Sequence, residues 1–146
     1  MKLKFLVMIV NFIIGEREPD ADMFLPSWVL ALGAVLIILC PVLIIWFFIN
    51  TEIILLIFAI ISLCIGILAV MCWHNQNIKV LSDEEFQYTT FLGNKKVYRF
   101  SDITGIRKNS DSMTLFVGKE KVHMEACAVI SDRLVELIDS ALSNVE

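Results

Sequence analysis

Predominantly apolar residues run from Trp28 to Ile49 and again from Ile53 to Trp73, with only Asn50, Thr51 and Glu52 between them. The runs are 22 and 21 residues long, and neither holds a Lys, Arg, Asp or Glu. A helix rises about 1.5 Å per residue, so each run matches the roughly 30 Å hydrocarbon core of a bilayer. A charge at mid-membrane costs several kcal/mol, which makes a charge-free stretch of this length read as a span. Two spans joined by three residues predict a tight antiparallel transmembrane hairpin.

After Trp73 the pattern shortens to a period of two. Ile78-Lys79-Val80, Phe86–Phe91, Lys95–Phe100, Ile103–Lys108, Met113–Val117 and Lys121–Glu125 alternate like strands. Ser82–Glu85, Gly93-Asn94, Asn109-Ser110-Asp111-Ser112 and Gly118-Lys119-Glu120 separate them as turns. Six short strands with hairpin-length turns predict an antiparallel meander, and Ala126–Ile130 is a stunted candidate for a seventh. Beyond Ser131 the period becomes 3.6: Leu134, Leu137, Ile138, Ala141 and Leu142 share one face, with Arg133, Glu136, Asp139 and Ser143 on others. Such a helix has only the sheet to bury against. The fold class is therefore α+β, a transmembrane helical hairpin plus a small antiparallel sheet or roll capped by a C-terminal helix.

Ahead of the first span, Lys2 and Lys4 lead into Phe5–Ile14, which is apolar except for Asn11. About ten apolar residues make roughly 15 Å of helix, too short to span, and a small-x-small cleavage pattern is absent. The favoured expectation is an uncleaved helix that lies in the inner interface or packs against the hairpin. Glu16-Arg17-Glu18-Pro19-Asp20 breaks it as an acidic linker, and Pro26-Ser27 offers a helix start with Ser27 as a candidate N-cap. Three regions result: 1–27, the hairpin 28–73 (spans 28–49 and 53–73), and 74–146.

Composition sharpens the membrane reading: 58% hydrophobic residues and a mean hydropathy of +0.76 exceed soluble norms. The excess is local, since residues 74–146 carry 9 Lys/Arg and 11 Asp/Glu, enough for one small domain. A net charge of −4 argues against nucleic acid, which favours a concentrated basic surface. Lys2, Lys4 and Arg17 precede the first span and Lys79, Lys95, Lys96, Arg99, Arg107 and Lys108 follow the second, while the turn has no cation. Positive-inside bias then places both termini in the cytoplasm of a multi-pass inner (plasma) membrane protein. Trp28, Trp46 and Trp73 fall near span ends, where indole prefers the headgroup zone.

Small residues predict how the spans meet. Ala59, Ser62, Gly66 and Ala69 form a stripe on the second, and Ala31 and Ala34 lie at matching depth on the first. Pro41 removes one backbone hydrogen bond and is expected to bend its helix. Cys40 and Cys64 also share a depth, but the spacing of Cys40, Cys64, Cys72 and Cys127 fits neither a zinc site nor a redox pair.

A two-span anchor followed by several strands and one amphipathic helix resembles the membrane-tethered pleckstrin-homology-like domains of bacteria. Phe91-Leu92-Gly93-Asn94-Lys95-Lys96 looks like a strand-turn-strand of that family, and Tyr98-Arg99-Phe100-Ser101-Asp102-Ile103 contains its aromatic–Asp–Ile step. The resemblance covers residues 75 to 145 and implies a seven-strand roll with a capping helix. Phosphoinositide-binding members carry basic residues at the first strand-turn-strand, where this chain has Ser82-Asp83-Glu84-Glu85. Headgroup binding is therefore not carried over.

Candidate chemistry is sparse. His74 and His123 are two lone histidines and do not make a metal site. Asp102 is a conceivable general base without a partner that can be named, and a turn role suits it better. Lys95, Lys96, Arg99, Arg107 and Lys108 would cluster if the third and fourth strands paired, giving a membrane-surface or partner contact. No catalytic residue, cofactor or metal is expected. The sequence reading is a non-enzymatic membrane scaffold or sensor whose partners are the lipid bilayer and a protein partner or second copy, with no nucleic acid. A bacteriocin-immunity or membrane-stress protein is the alternative, and a membrane-bound enzyme is the weakest reading.

Overall fold

The computed structural model describes residues 20–144. These divide into two compact units: residues 27–74 form one, and residues 20–26 together with 75–144 form the other. The apolar segment Phe5–Ile14 and most of the acidic linker lie outside the described residues.

The first unit is a pair of helices, α1 (Ser27–Asn50) and α2 (Ile53–Asn75). Both are long and apolar enough to cross a membrane. A core helix of a soluble protein would bury its large side chains, whereas these expose theirs: Phe48 is 74% and Ile38 65% accessible. What α1 and α2 bury is small. The buried residues are Gly33 and Cys40 on α1 and Ala59, Ser62 and Gly66 on α2. A Cβ on Gly33 would lie 3.0 Å from the Gly66 carbonyl oxygen, and one on Gly66 would lie 2.9 Å from that of Gly33. The two backbones touch at this point, so neither position has room for a side chain. The α2 stripe is the expected one. Its partner is not, because Gly33 takes the place assigned to Ala31 and Ala34; Gly33 lies between them and, having no side chain, admits the closest approach. Cys64, meanwhile, is exposed and free, as Cys40 is free and buried.

Helix α1 continues through Pro41. Proline supplies no N–H to the carbonyl of Ile37 four residues back. One residue earlier, the Ser62 hydroxyl of α2 donates to the Leu36 carbonyl at 2.7 Å, a cross-helix hydrogen bond in the turn that precedes Pro41. The helices are joined through Thr51, whose φ of 56° is a left-handed conformation uncommon for a β-branched residue. Its N–H closes α1 on the Phe47 carbonyl at 2.7 Å.

The second unit has eight strands in two antiparallel sheets. They are β1 (Met23–Phe24), β2 (Asn77–Val80), β3 (Glu85–Thr89), β4 (Lys95–Arg99), β5 (Ile103–Lys108), β6 (Ser112–Val117), β7 (Glu120–Glu125) and β8 (Val129–Ile130). One sheet runs β4-β3-β2-β1-β8 and the other β5-β6-β7. A helix, α3 (Asp132–Ser143), packs on β5 and on the 3-10 turn Phe100–Asp102 that joins β4 to β5. The single meander expected from the sequence is thus split at residues 100–102, where the chain leaves one sheet for the other. Between the sheets and α3 lies one core, with Met23, Ile78, Phe86, Ile103, Leu115, Val122, Met124 and Leu134 at or below 1% exposure. Tyr88 Oη and the buried Gln76 side chain both donate to the His123 carbonyl, at 3.3 and 3.2 Å, tying the larger sheet to β7.

Strand β1 was not visible in the sequence, which treats residues up to 27 as helix and linker. It inserts between β2 and β8, pairing Met23 with Ile78 and with Ile130. Asp22 fixes it there. Its backbone N–H donates to the Ile78 carbonyl (2.8 Å) and its carbonyl accepts from Ser131 N–H (2.7 Å). Its carboxylate accepts from Val80 N–H (2.8 Å) and the Ser131 hydroxyl (2.9 Å). Ser131 in turn caps α3 by accepting from Leu134 N–H at 3.2 Å. One aspartate therefore joins the first strand, the second strand and the last helix.

Candidate functional site

Strand β4 is an edge of the larger sheet, and its outer side faces the turn between β6 and β7 across a shallow cleft of about 540 Å³. Val97, Tyr98, Asp102, Thr104, Lys119 and Glu120 are among the residues lining it. Gly118, with φ 59°, makes the tight β6–β7 turn, and its N–H donates to the Asp102 carbonyl at 2.8 Å, fixing that turn on the 3-10 segment.

Across the cleft, Glu120 accepts from Tyr98 Oη at 2.5 Å and from the Lys96 ammonium. The pair of donors holds the Glu120 carboxyl below its ordinary range, Lys96 contributing most. Partial burial and the acidic neighbour push Tyr98 up to about 12. Lys96, Tyr98 and Glu120 thus form one ionic and hydrogen-bonded triad linking the two sheets. Asp102 is exposed and occupies the 3-10 turn, as its turn role required.

The basic patch expected from pairing of the third and fourth predicted strands is not assembled that way. Those strands are β4 and β5; β4 pairs with β3 and β5 with β6, in different sheets. Lys96 is engaged with Glu120, and Arg99 lies 3.6 Å from Glu85, its register partner on β3. Lys95, Arg107 and Lys108 are exposed and make no ion pair among the described residues. His123 faces Glu125 at 3.3 Å in an exposed pair. Sequence reasoning missed Tyr98 and Glu120 as partners because they are 22 residues apart and reach each other only through the sheet crossover. Asp22 was missed for the same reason, with its Ser131 partner 109 residues away.

No curated protein and no solved structure matches the chain. A family model does match, over residues 21–139, from the residue before Asp22 through β1, the helical pair and both sheets into α3. The matched span takes in the helical pair and most of the two-sheet domain, which are therefore parts of one family unit. The chain belongs to this family, a family of unknown function designated DUF6560.

Proposed function

We propose that this chain is a non-enzymatic membrane scaffold or sensor, a two-span anchor that presents a small two-sheet interaction domain at the inner membrane face. One observation carries the reading. The helical pair is inserted between β1 and β2, which are hydrogen-bonded neighbours, with Phe24 opposite Asn77. Strand pairing therefore fixes the entry to α1 and the exit from α2 within a few residues of each other, on the same folded domain. A hairpin tethered at both ends in this way crosses a bilayer an even number of times. The cations that flank the spans and are missing from the turn support a cytoplasmic side for those ends and for the domain.

An interaction role also suits the cleft. Three of its titratable groups, Lys96, Tyr98 and Glu120, are engaged with one another rather than poised about an open reaction centre. Edge strand β4 leaves Val97 half exposed, a short strip against which a partner chain can lie.

Topology and role are tested separately. In a background without the native cysteines, a cysteine at Thr51 should react with an impermeant maleimide in intact cells, and one at Ser110 only after permeabilisation. The reverse pattern rejects the orientation. A photo-crosslinking residue at Val97 should trap a protein adduct or a second copy in cells; its failure there, with equal failure at Lys119, rejects an interaction role for this face.

A further inference from the structure

Polar residues hold the central positions of three turns of the folded unit: Asp83-Glu84 between β2 and β3, Ser110-Asp111 between β5 and β6, and Gly118-Lys119 between β6 and β7. The turn after β3 instead places Phe91 and Leu92 at its two central positions, closed by Gly93 N–H donating to the Thr90 carbonyl at 2.8 Å. Turn corners ordinarily hold Gly, Pro, Asn, Asp or Ser, which need no burial. Here two large apolar side chains are 41% and 59% exposed, and neither belongs to the core of the domain. The conformation is specific, since Gly93 holds φ 83° to complete the turn.

A second, independent feature gives this turn its occupant. Asn75 is the last residue of α2, and its side-chain amide donates to the Phe91 carbonyl at 2.7 Å. Helix α2 has 23 residues and is about 35 Å long, so Asn75 marks the end of a bilayer-spanning length, at the headgroup level. Lys95 follows the turn, exposed and without an ion pair among the described residues.

We propose that the β3–β4 turn is a second bilayer contact: Phe91 and Leu92 enter the headgroup layer of the membrane that holds the hairpin, and Lys95 meets its anionic lipids. This inference rests on the membrane reading above and adds to it. The hairpin fixes the domain to the membrane, and the apolar turn fixes which surface of the domain faces the lipid.

The test uses the full chain with its four cysteines replaced, reconstituted in vesicles of phosphatidylcholine and phosphatidylglycerol in equal amounts. An environment-sensitive fluorophore is attached at one of three single cysteines: Ile38→Cys in the hairpin, Leu92→Cys in the turn, or Ser110→Cys in the β5–β6 turn. Lipids brominated near the headgroup should quench the probe at Leu92→Cys several-fold more than the probe at Ser110→Cys, with a blue-shifted emission. Adding Lys95→Glu should lower that quenching in the mixed vesicles and leave it unchanged in pure phosphatidylcholine. Deep-brominated lipids quenching Ile38→Cys, with equal quenching at positions 92 and 110, would overturn the turn contact while leaving the hairpin in place. Loss of quenching at Ile38→Cys would remove the membrane reading and this inference with it.

Discussion

The two units solve opposite problems with the same twenty residue types. The helical pair buries Gly33, Cys40, Ala59, Ser62 and Gly66 and turns Val35, Ile38, Phe48 and Ile57 outward. The two-sheet domain buries Phe86, Ile78, Leu115 and Met124 and turns Lys, Glu and Asp outward. In water, cohesion comes from hiding large apolar surface, about 25 cal/mol per Å². Between helices in lipid that driving force vanishes, and close backbone contact with hydrogen bonding takes its place. A large apolar residue is therefore essential in one unit and close to neutral in the other. Glycine serves close backbone approach in the helical pair and left-handed turn positions in the two-sheet domain.

The sharpest break of this comparison uses one residue type in both units. Phe86 is 1% exposed, and its ring lies 4.8 Å from that of Phe100. Phe86→Ala should cost about 3–5 kcal/mol, enough to unfold a domain whose total stability is of order 5 kcal/mol. Phe48→Ala removes the same ring from a side chain that faces outward, and the domain should melt as in the wild type. Thermal melting of the full chain in detergent, followed by near-ultraviolet circular dichroism, separates the two. Equal losses would mean that the outward face of α1 is itself a packing surface.

Asp22→Ala comes next, at about 2–4 kcal/mol. It removes two bonds to a carboxylate, each worth about 1.5–3 kcal/mol and not fully additive. Released from Val80 and Ser131, β1 should fray and the start of α3 should lose its support. Limited proteolysis between residues 20 and 27 would register this as faster cleavage. A fragment of residues 75–146 lacks β1 altogether and should melt well below a chain in which 27–75 is replaced by a short turn joining Pro26 to Gln76. That replacement is possible only because β1 and β2 are adjacent.

How much of this was legible beforehand follows from the range of each interaction. Long apolar runs declare themselves locally, so the bounds of α1 and α2 fell within two residues of those read from the sequence. So did the α3 stripe, where Leu134 and Ile138 are buried as the 3.6 period required. Strand β1 is two residues long and has no period to read. Its identity lies wholly in partners more than 50 residues away. The chain's change of sheet at Phe100–Asp102 looks from sequence like an ordinary turn, and that mistaken pairing carried the expected basic patch with it. Gly33 was overlooked beside Ala31 and Ala34 because sequence fixes depth along a helix more firmly than rotation about it.

In the helical pair the decisive substitution is a gain of volume. Gly66→Leu must displace the Gly33 carbonyl, 2.9 Å from where its Cβ would stand, and the Ile37 side chain at 2.8 Å. Overpacking of this kind costs about 1–3 kcal/mol. It should separate α1 from α2 and lower the midpoint of unfolding in a steric-trap or detergent-denaturation assay. Ile57→Leu, on an outward position of the same helix, should change little. If both behave alike, the Gly33–Gly66 approach does not hold the pair together.

The smallest effect is one of pH, and it should touch one unit alone. The phenol of Tyr98 is pushed up to about 12 by partial burial and by donation to Glu120. A group whose folded value is raised favours folding while it stays protonated. Its contribution is full below pH 10 and is lost as the pH climbs from about 10 toward 12. Spectrophotometric titration at the tyrosinate band should therefore show a step near 12 that Tyr98→Phe removes, and the variant's domain stability should fall less steeply through that window. Glu120→Gln should lower the step, because it takes away the negative charge that opposes a second one. Helices α1 and α2 contain no Lys, Arg, Asp or Glu, so their far-ultraviolet signal should hold through the Tyr98 step. A helical signal that follows the Tyr98 step would show that the two units, so differently built, are nonetheless energetically coupled.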